Sequence, residues 1–199
     1  MNLPNKLTMA RMIAIPFFIA CFYLPDWSFS ILGATILIKH LIAAAIFILA
    51  YITDTLDGRI ARKKGLVTDF GKLMDPIADK LLTAAGMIML IGRDLMSVLN
   101  FLLPVFAVIV LAREFLVSGM RLIAASHGTV MAAGVWGKVK TTVQAIALPL
   151  VLIAGPVFRA IRFPFDFFSM ALAVFFTIMS GVDYIVKNRD LFKENGKKL

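Results

Sequence analysis

Cysteine and histidine are nearly missing from this chain, with one Cys and two His in 199 residues. Cys21 has no partner for an intrachain disulfide and, inside an apolar stretch, reads as a small packed hydrophobe. His40 and His127 lie far apart with no third His or Cys, which argues against a transition-metal site. Charge is also scarce. Only 17% of residues are charged and 60% are hydrophobic, and a mean hydropathy of +0.89 excludes an ordinary soluble domain. There is no short-period repeat and no low-complexity tract. No small-residue cleavage site follows the first apolar stretch, which Lys6 and Arg11 precede and which runs on into Leu24-Pro25-Asp26-Trp27, so it reads as a retained helix. Acids are the rarer sign, 12 Asp+Glu against 21 Lys+Arg, for a net charge of +9. That excess suits anionic lipid head groups. With so little soluble mass and no aromatic-basic surface module, it does not suit nucleic acid.

What remains is long apolar runs. Six spans are predicted, at about 7–24, 34–61, 73–92, 97–124, 138–156 and 167–187, each near the roughly 20 residues that a bilayer core requires. The expected fold is an all-α integral membrane protein with six transmembrane helices. It forms one polytopic domain over 1–199, with a short interfacial segment at Pro4 to Thr8 and a short cytoplasmic tail, KNRDLFKENGKKL. With the N-terminus inside, the external segments hold Lys39, Arg93, Arg159 and Arg162, four of the 21 basic residues, and the other 17 fall on the internal side. Both termini are therefore expected in the cytoplasm, in a cell (inner or plasma) membrane.

Four of the scarce acids stand where hydropathy expects membrane helix: Asp54, Asp57, Asp75 and Asp79, in ITDTLDGRIARKKGLVTDFGKLMDPIADKLL. Helix 2 is expected from about Ala34 to Lys63-Lys64-Gly65, with Gly65 as C-cap. Helix 3 is expected to begin between Phe70 and Pro76, with Thr68 or Asp69 as N-cap and the proline in its first turn. Asp54 and Asp57 are then i, i+3 on one helix, and Asp75 and Asp79 are i, i+4 on the next, so each pair shares a face. Four carboxylates gathered across a hairpin need protons or cations. Oxygen-only ligands favour Mg²⁺ or Mn²⁺, with Ca²⁺ also open. Gly58 and Ala61 leave the face between the acids and Arg62 almost without bulk, and Gly71 completes the gap. That face fits either helix packing or the approach of a large phosphorylated ligand to the backbone.

The run resembles the signature of the CDP-alcohol phosphotransferases, D-x-x-D-G-x-x-A-R-x8-G-x-x-x-D-x-x-x-D, at all eight fixed positions: Asp54, Asp57, Gly58, Ala61, Arg62, Gly71, Asp75 and Asp79. The resemblance implies a six-helix membrane enzyme, usually a homodimer, that displaces CMP from a CDP-linked substrate with an alcohol. It also implies that the four acids bind two ions (Mg²⁺ or Mn²⁺), that Asp79 serves in addition as base, and that Gly58, Ala61, Arg62 and Gly71 contact the CDP moiety. The opening NLPNKLTMAR, AREFLVSGMR at 112–121 and WGKVKT at 136–141 look like the phosphatidylglycerophosphate synthase branch, which joins sn-glycerol 3-phosphate to CDP-diacylglycerol. Beyond about residue 150 only hydropathy is recognisable.

The residues allow a check on that branch. A phosphorylated acceptor needs cations near the acids. Arg113, Arg121, Lys138 and Lys140 are the candidates, with Glu114 orienting one of the arginines rather than binding metal. Lys138 and Lys140 also fit a basic belt against inner-leaflet phosphates. The resulting expectation is a two-metal in-line displacement, with Asp54, Asp57 and Asp75 on one ion, Asp54, Asp75 and Asp79 on the other, and Asp79 taking the proton of the glycerol hydroxyl. Two alternatives stand beside it. One is a related transferase with inositol phosphate or phosphatidylglycerol as acceptor. The other is a cation transporter, which would instead spread its acids through the membrane depth.

Overall fold

A computed structural model describes the backbone of residues 3–64, 69–92, 97–126 and 134–189; within these, the side chains of 3–4, 55–64, 69–73, 75, 97–98 and 126 are outside the description. The described chain is helical apart from one hairpin. Its elements run α1 (Leu3–Cys21), β1 (Ser28–Ile31), β2 (Ala34–Leu37), α2 (Ile38–Lys64), α3 (Asp69–Leu90), α4 (Ser97–Ser126), α5 (Val135–Ile153), α6 (Gly155–Ala160) and α7 (Phe165–Lys187). Among the described residues, Leu99–Ala125 and Phe165–Lys187 are helical stretches long and apolar enough to cross a membrane.

Two boundaries differ from the sequence expectation. Helix 2 does not begin at Ala34. Ala34–Leu37 is instead a strand antiparallel to Ser28–Ile31, with Ile31 opposite Ala34. The two-residue turn between them places Leu32 at φ +52° and Gly33 at φ +77°, the double left-handed geometry that matches the twist of a hairpin. Helix 3 begins at Asp69, earlier than expected, so Pro76 lies inside it rather than in its first turn. The carbonyl of Lys72, four residues earlier, therefore has no helical donor. Gly65 and Thr68, the proposed caps, lie outside the described residues.

The helices pack as α1 on α2 and α3, α5 on α2 and α7, and α4 on α3 and α7. Their shared interior is apolar and close-set, with Phe18, Ala43, Ala44, Phe47, Leu82, Leu103, Val110, Leu148, Val151 and Met170 all buried. Small residues allow the approach: a Cβ added at Gly86 of α3 would lie 3.1 Å from a Leu148 methyl of α5. The outward faces are apolar too. Phe101, Val108 and Phe115 on α4 are 81%, 65% and 66% exposed, and Phe175 on α7 is 54% exposed. Helices that are apolar inside and out suit lipid rather than water as the surrounding medium.

At one end of the bundle a polar clasp joins the short elements. Lys39 of α2 pairs with Asp26. Arg159 of α6 pairs with Asp166 of α7, a fully buried carboxylate. Gly155 is required beside that pair, because a Cβ there would fall 2.5 Å from Asp166 Oδ1.

Candidate active site

Asp54 is carried by α2 and Asp79 by α3, neighbouring helices of the bundle. The same two helices carry the backbones of Asp57, Gly58, Ala61 and Arg62 and of Gly71 and Asp75, whose side chains are outside the described residues. Asp54 Oδ1 lies 2.6 Å from Nη1 of Arg11, whose side chain is entirely buried. Arg11 follows Asn5 and Thr8 at i+3 steps on α1, and all three are buried. These polar residues of α1 therefore share one helix side, with Arg11 at the acids.

Asp79 faces a cavity of about 400 Å³ that opens between α2, α3, α4 and α5. The cavity gathers Asp79 and three cations of the sequence expectation, Arg113 and Arg121 of α4 and Lys138 of α5, together with Tyr51, Ser118, Thr141 and Thr142. Asp54 is not among its lining residues.

Lys140 is placed differently from its neighbour two residues back. It is absent from the wall of the large cavity and buried in an ion pair with Glu114. With Asp79, Glu114 and Gln144, it borders a much smaller recess behind the cavity. Glu114 also lies 3.4 Å from Nη1 of Arg113. One buried carboxylate thus touches both a lysine and an arginine, and its contact with the lysine is the closer. The other end of Arg113 reaches α7, where Nη2 donates to Ser180 Oγ. Arg121 lies over the ring of Tyr184, with its guanidinium carbon 5.5 Å from the centroid, within cation–π range.

Arg11, Tyr51, Ser180 and Tyr184 are among the site residues that sequence reasoning did not single out, as are Lys80, Thr142 and Gln144. Two spacing signals were available: Asn5-Thr8-Arg11 at three-residue steps, and Ser180 and Tyr184 one turn apart inside an apolar helix. Neither names its partner.

Among the described residues no group of three or more His, Cys, Asp or Glu side chains gathers as a metal cage; of the four motif acids, only Asp54 and Asp79 have described side chains. The donor type, rather than a described cage, is what suits a hard divalent cation. The motif offers carboxylate oxygens only, and a buried arginine already answers the charge of one of them.

Residues 1–179 match the family model described as CDP-alcohol phosphatidyltransferase. The chain belongs to the CDP-alcohol phosphatidyltransferase family. The match takes in all four acids, the cavity cations and most of α7, including Thr177. Individual relatives extend it. A Bacillus subtilis protein named CDP-diacylglycerol–glycerol-3-phosphate 3-phosphatidyltransferase is 44% identical over 195 residues, covering 96% of this chain and 97% of its own. A Rickettsia felis protein of the same name is 40% identical, covering 92% and 93%. A Mycobacterium tuberculosis protein named probable phosphatidylglycerophosphate synthase is 37% identical, covering 94% and 81%. The chain thus shares nearly its full length with these relatives, two of which carry glycerol 3-phosphate in their names.

Proposed function

We propose that this chain transfers the phosphatidyl group of CDP-diacylglycerol to sn-glycerol 3-phosphate, releasing CMP and forming phosphatidylglycerol phosphate. The observation that carries the reading is the cavity in which Asp79 faces Arg113, Arg121 and Lys138. A cavity that holds Asp79 and Glu114 together with four cations, Lys80, Arg113, Arg121 and Lys138, suits an alcohol that bears its own phosphate. The cations hold the phosphate by charge-assisted contacts while the hydroxyl reaches the carboxylate. The names of the relatives point to the same acceptor.

In the reaction, the glycerol hydroxyl oxygen forms a new bond to the lipid-linked phosphorus, and the anhydride bond to CMP breaks. CMP leaves with the electron pair, and the hydroxyl proton passes to Asp79. Gly58, Ala61, Arg62 and Gly71 would contact the CDP moiety, the role that the family motif assigns to these positions. Asp54, Asp57, Asp75 and Asp79 would hold two divalent cations, Mg²⁺ or Mn²⁺, which supply charge neutralisation at the pyrophosphate and at the departing oxygen. Arg11 steadies Asp54 from the side of α1.

The same reading takes the six long helices as six membrane spans. Both termini and the cavity mouth face the cytoplasm, where a soluble phosphate ester and a membrane-bound liponucleotide meet. We take the working unit to be a homodimer. One assay tests the activity: CMP release from CDP-diacylglycerol by the purified protein, with glycerol 3-phosphate, inositol phosphate and phosphatidylglycerol compared side by side, with and without a chelator. Release only with glycerol 3-phosphate, abolished by chelation and restored by Mg²⁺ or Mn²⁺, is the expected result. Equal release with another acceptor would overturn the acceptor assignment, and full release in exhaustively chelated protein would overturn the metal reading.

A further inference from the structure

We infer that Ser180 of α7 is a positioning residue for the acceptor phosphate, acting through Arg113. The inference rests on the acceptor pocket proposed above and adds to it a helix that contributes neither acid nor cation to the cavity.

Arg113 lines the cavity from α4, but its guanidinium is set from two other directions. Nη2 donates to Ser180 Oγ across a separation of 67 residues, and Nη1 lies 3.4 Å from Glu114 Oε1. Those contacts use two of the five N–H donors that an arginine carries. Glu114 is shared with Lys140, whereas the Ser180 hydroxyl accepts from Arg113 without bringing a charge. Ser180 is itself buried, 2% exposed, on a helix otherwise apolar enough to cross a membrane.

The surroundings form a slot shaped to the arginine. A Cβ added at Gly181 would lie 3.3 Å from Arg113 Cγ, and one added at Gly137 of α5 would lie 3.8 Å from Arg113 Nη2 and 3.7 Å from Ser180 Oγ. Two glycines and one hydroxyl thus bound the stem and the fork, Gly137 at the cavity wall and Gly181 and Ser180 from α7. Arginine owes its value at a phosphate to a planar fork whose direction is fixed. In an apolar setting a hydroxyl acceptor fixes it without adding a negative charge that would repel the phosphate. A serine serves that end better than a second glutamate.

The test compares Ser180→Ala, Gly181→Ala, Arg113→Gln and the double variant Arg113→Gln/Ser180→Ala in full-length protein. KM for glycerol 3-phosphate, KM for CDP-diacylglycerol, kcat and thermal midpoint are measured for each. Ser180→Ala is expected to raise KM for glycerol 3-phosphate by about tenfold, with KM for CDP-diacylglycerol and the thermal midpoint near wild type. Ser180→Thr, which keeps the acceptor oxygen, should recover most of the loss. Gly181→Ala, which presses on the Arg113 stem and leaves the hydroxyl in place, should raise the same KM even if Ser180→Ala folds poorly. The double variant should be no worse than Arg113→Gln alone, because the serine acts only through the arginine. If Arg113→Gln impairs glycerol 3-phosphate use while Ser180→Ala and Gly181→Ala do not, the positioning role is refuted and the pocket stands. An Arg113→Gln variant with wild-type kinetics would overturn the acceptor pocket and this inference with it.

Discussion

Removing Lys140 and removing Glu114 should have unequal costs. The pair is buried, with side chains 6% and 11% exposed respectively, and breaking such a pair from one side typically costs about 3–5 kcal/mol because the remaining charge is left unanswered. Lys140→Met keeps the stem and removes the cation, but Glu114 retains Arg113 Nη1 at 3.4 Å, so the cost should sit near or below about 3 kcal/mol. Glu114→Gln leaves two cations, Lys140 and Arg113, beside a neutral amide, and should reach the upper end, about 5 kcal/mol. The double variant Glu114→Gln/Lys140→Met removes the unanswered lysine but still leaves Arg113 without its carboxylate. It should cost no more than Glu114→Gln alone, a recovery of roughly 3 kcal/mol relative to the sum of the singles, the upper end of the coupling expected for residues in direct contact. Denaturant unfolding in detergent gives the four free energies, and acceptor kinetics on the same preparations separate stability from catalysis. If Lys140→Met unfolds like wild type and instead raises KM for glycerol 3-phosphate, Lys140 belongs with Lys138 at the acceptor and the buried pairing is wrong.

Other outcomes follow from the same geometry. Asp79→Asn should lower kcat by roughly 10²–10⁴-fold, the usual worth of a general base, with KM for CDP-diacylglycerol little changed; equal damage to both would reduce Asp79 to a ligand. Lys138→Gln should raise KM for glycerol 3-phosphate and spare that for CDP-diacylglycerol, and a loss confined to the lipid substrate would move Lys138 to a head-group belt. Gly155→Ala places a methyl 2.5 Å from Asp166 Oδ1 and should destabilise the protein by about 3 kcal/mol or more through the buried Arg159 pair; an unchanged unfolding midpoint would show that the clasp yields freely. Leu32→Asn should stabilise the hairpin by about 1 kcal/mol, since a left-handed backbone strains leucine more than asparagine, and a lowered midpoint would contradict that turn geometry.

The spacing of apolar runs was sufficient to place six long helices, two of which, among the described residues, are long and apolar enough to cross a membrane. The hairpin was hidden by the same runs. Ser28 to Leu37 reads SFSILGATIL, without the Asn-Gly or Asp-Gly signal of a tight turn, and Ala34–Leu37 merges in hydropathy with the helix that follows. The short α6 begins at Gly155-Pro156, where a proline suits a helix start. It follows α5 so closely that the two read as one span and its loop.

The helices that carry the four motif acids were legible because the pattern is local: Asp54 and Asp57 stand at i, i+3 on α2, and Asp75 and Asp79 at i, i+4 on α3. Their partners were not, because those contacts join distant parts of the chain: Arg11 meets Asp54 across α1 and α2, and Arg113 meets Ser180 across α4 and α7. A serine inside an apolar helix carries little information alone, since hydroxyls there often bond their own backbone, as Thr177 does to the carbonyl of Ala173. Only its distance to a named cation separates Ser180 from that ordinary use. A motif scan therefore finds the groups whose geometry is set within neighbouring turns, while the groups that aim them come from the first and last long helices, which close around the centre only when the bundle is packed.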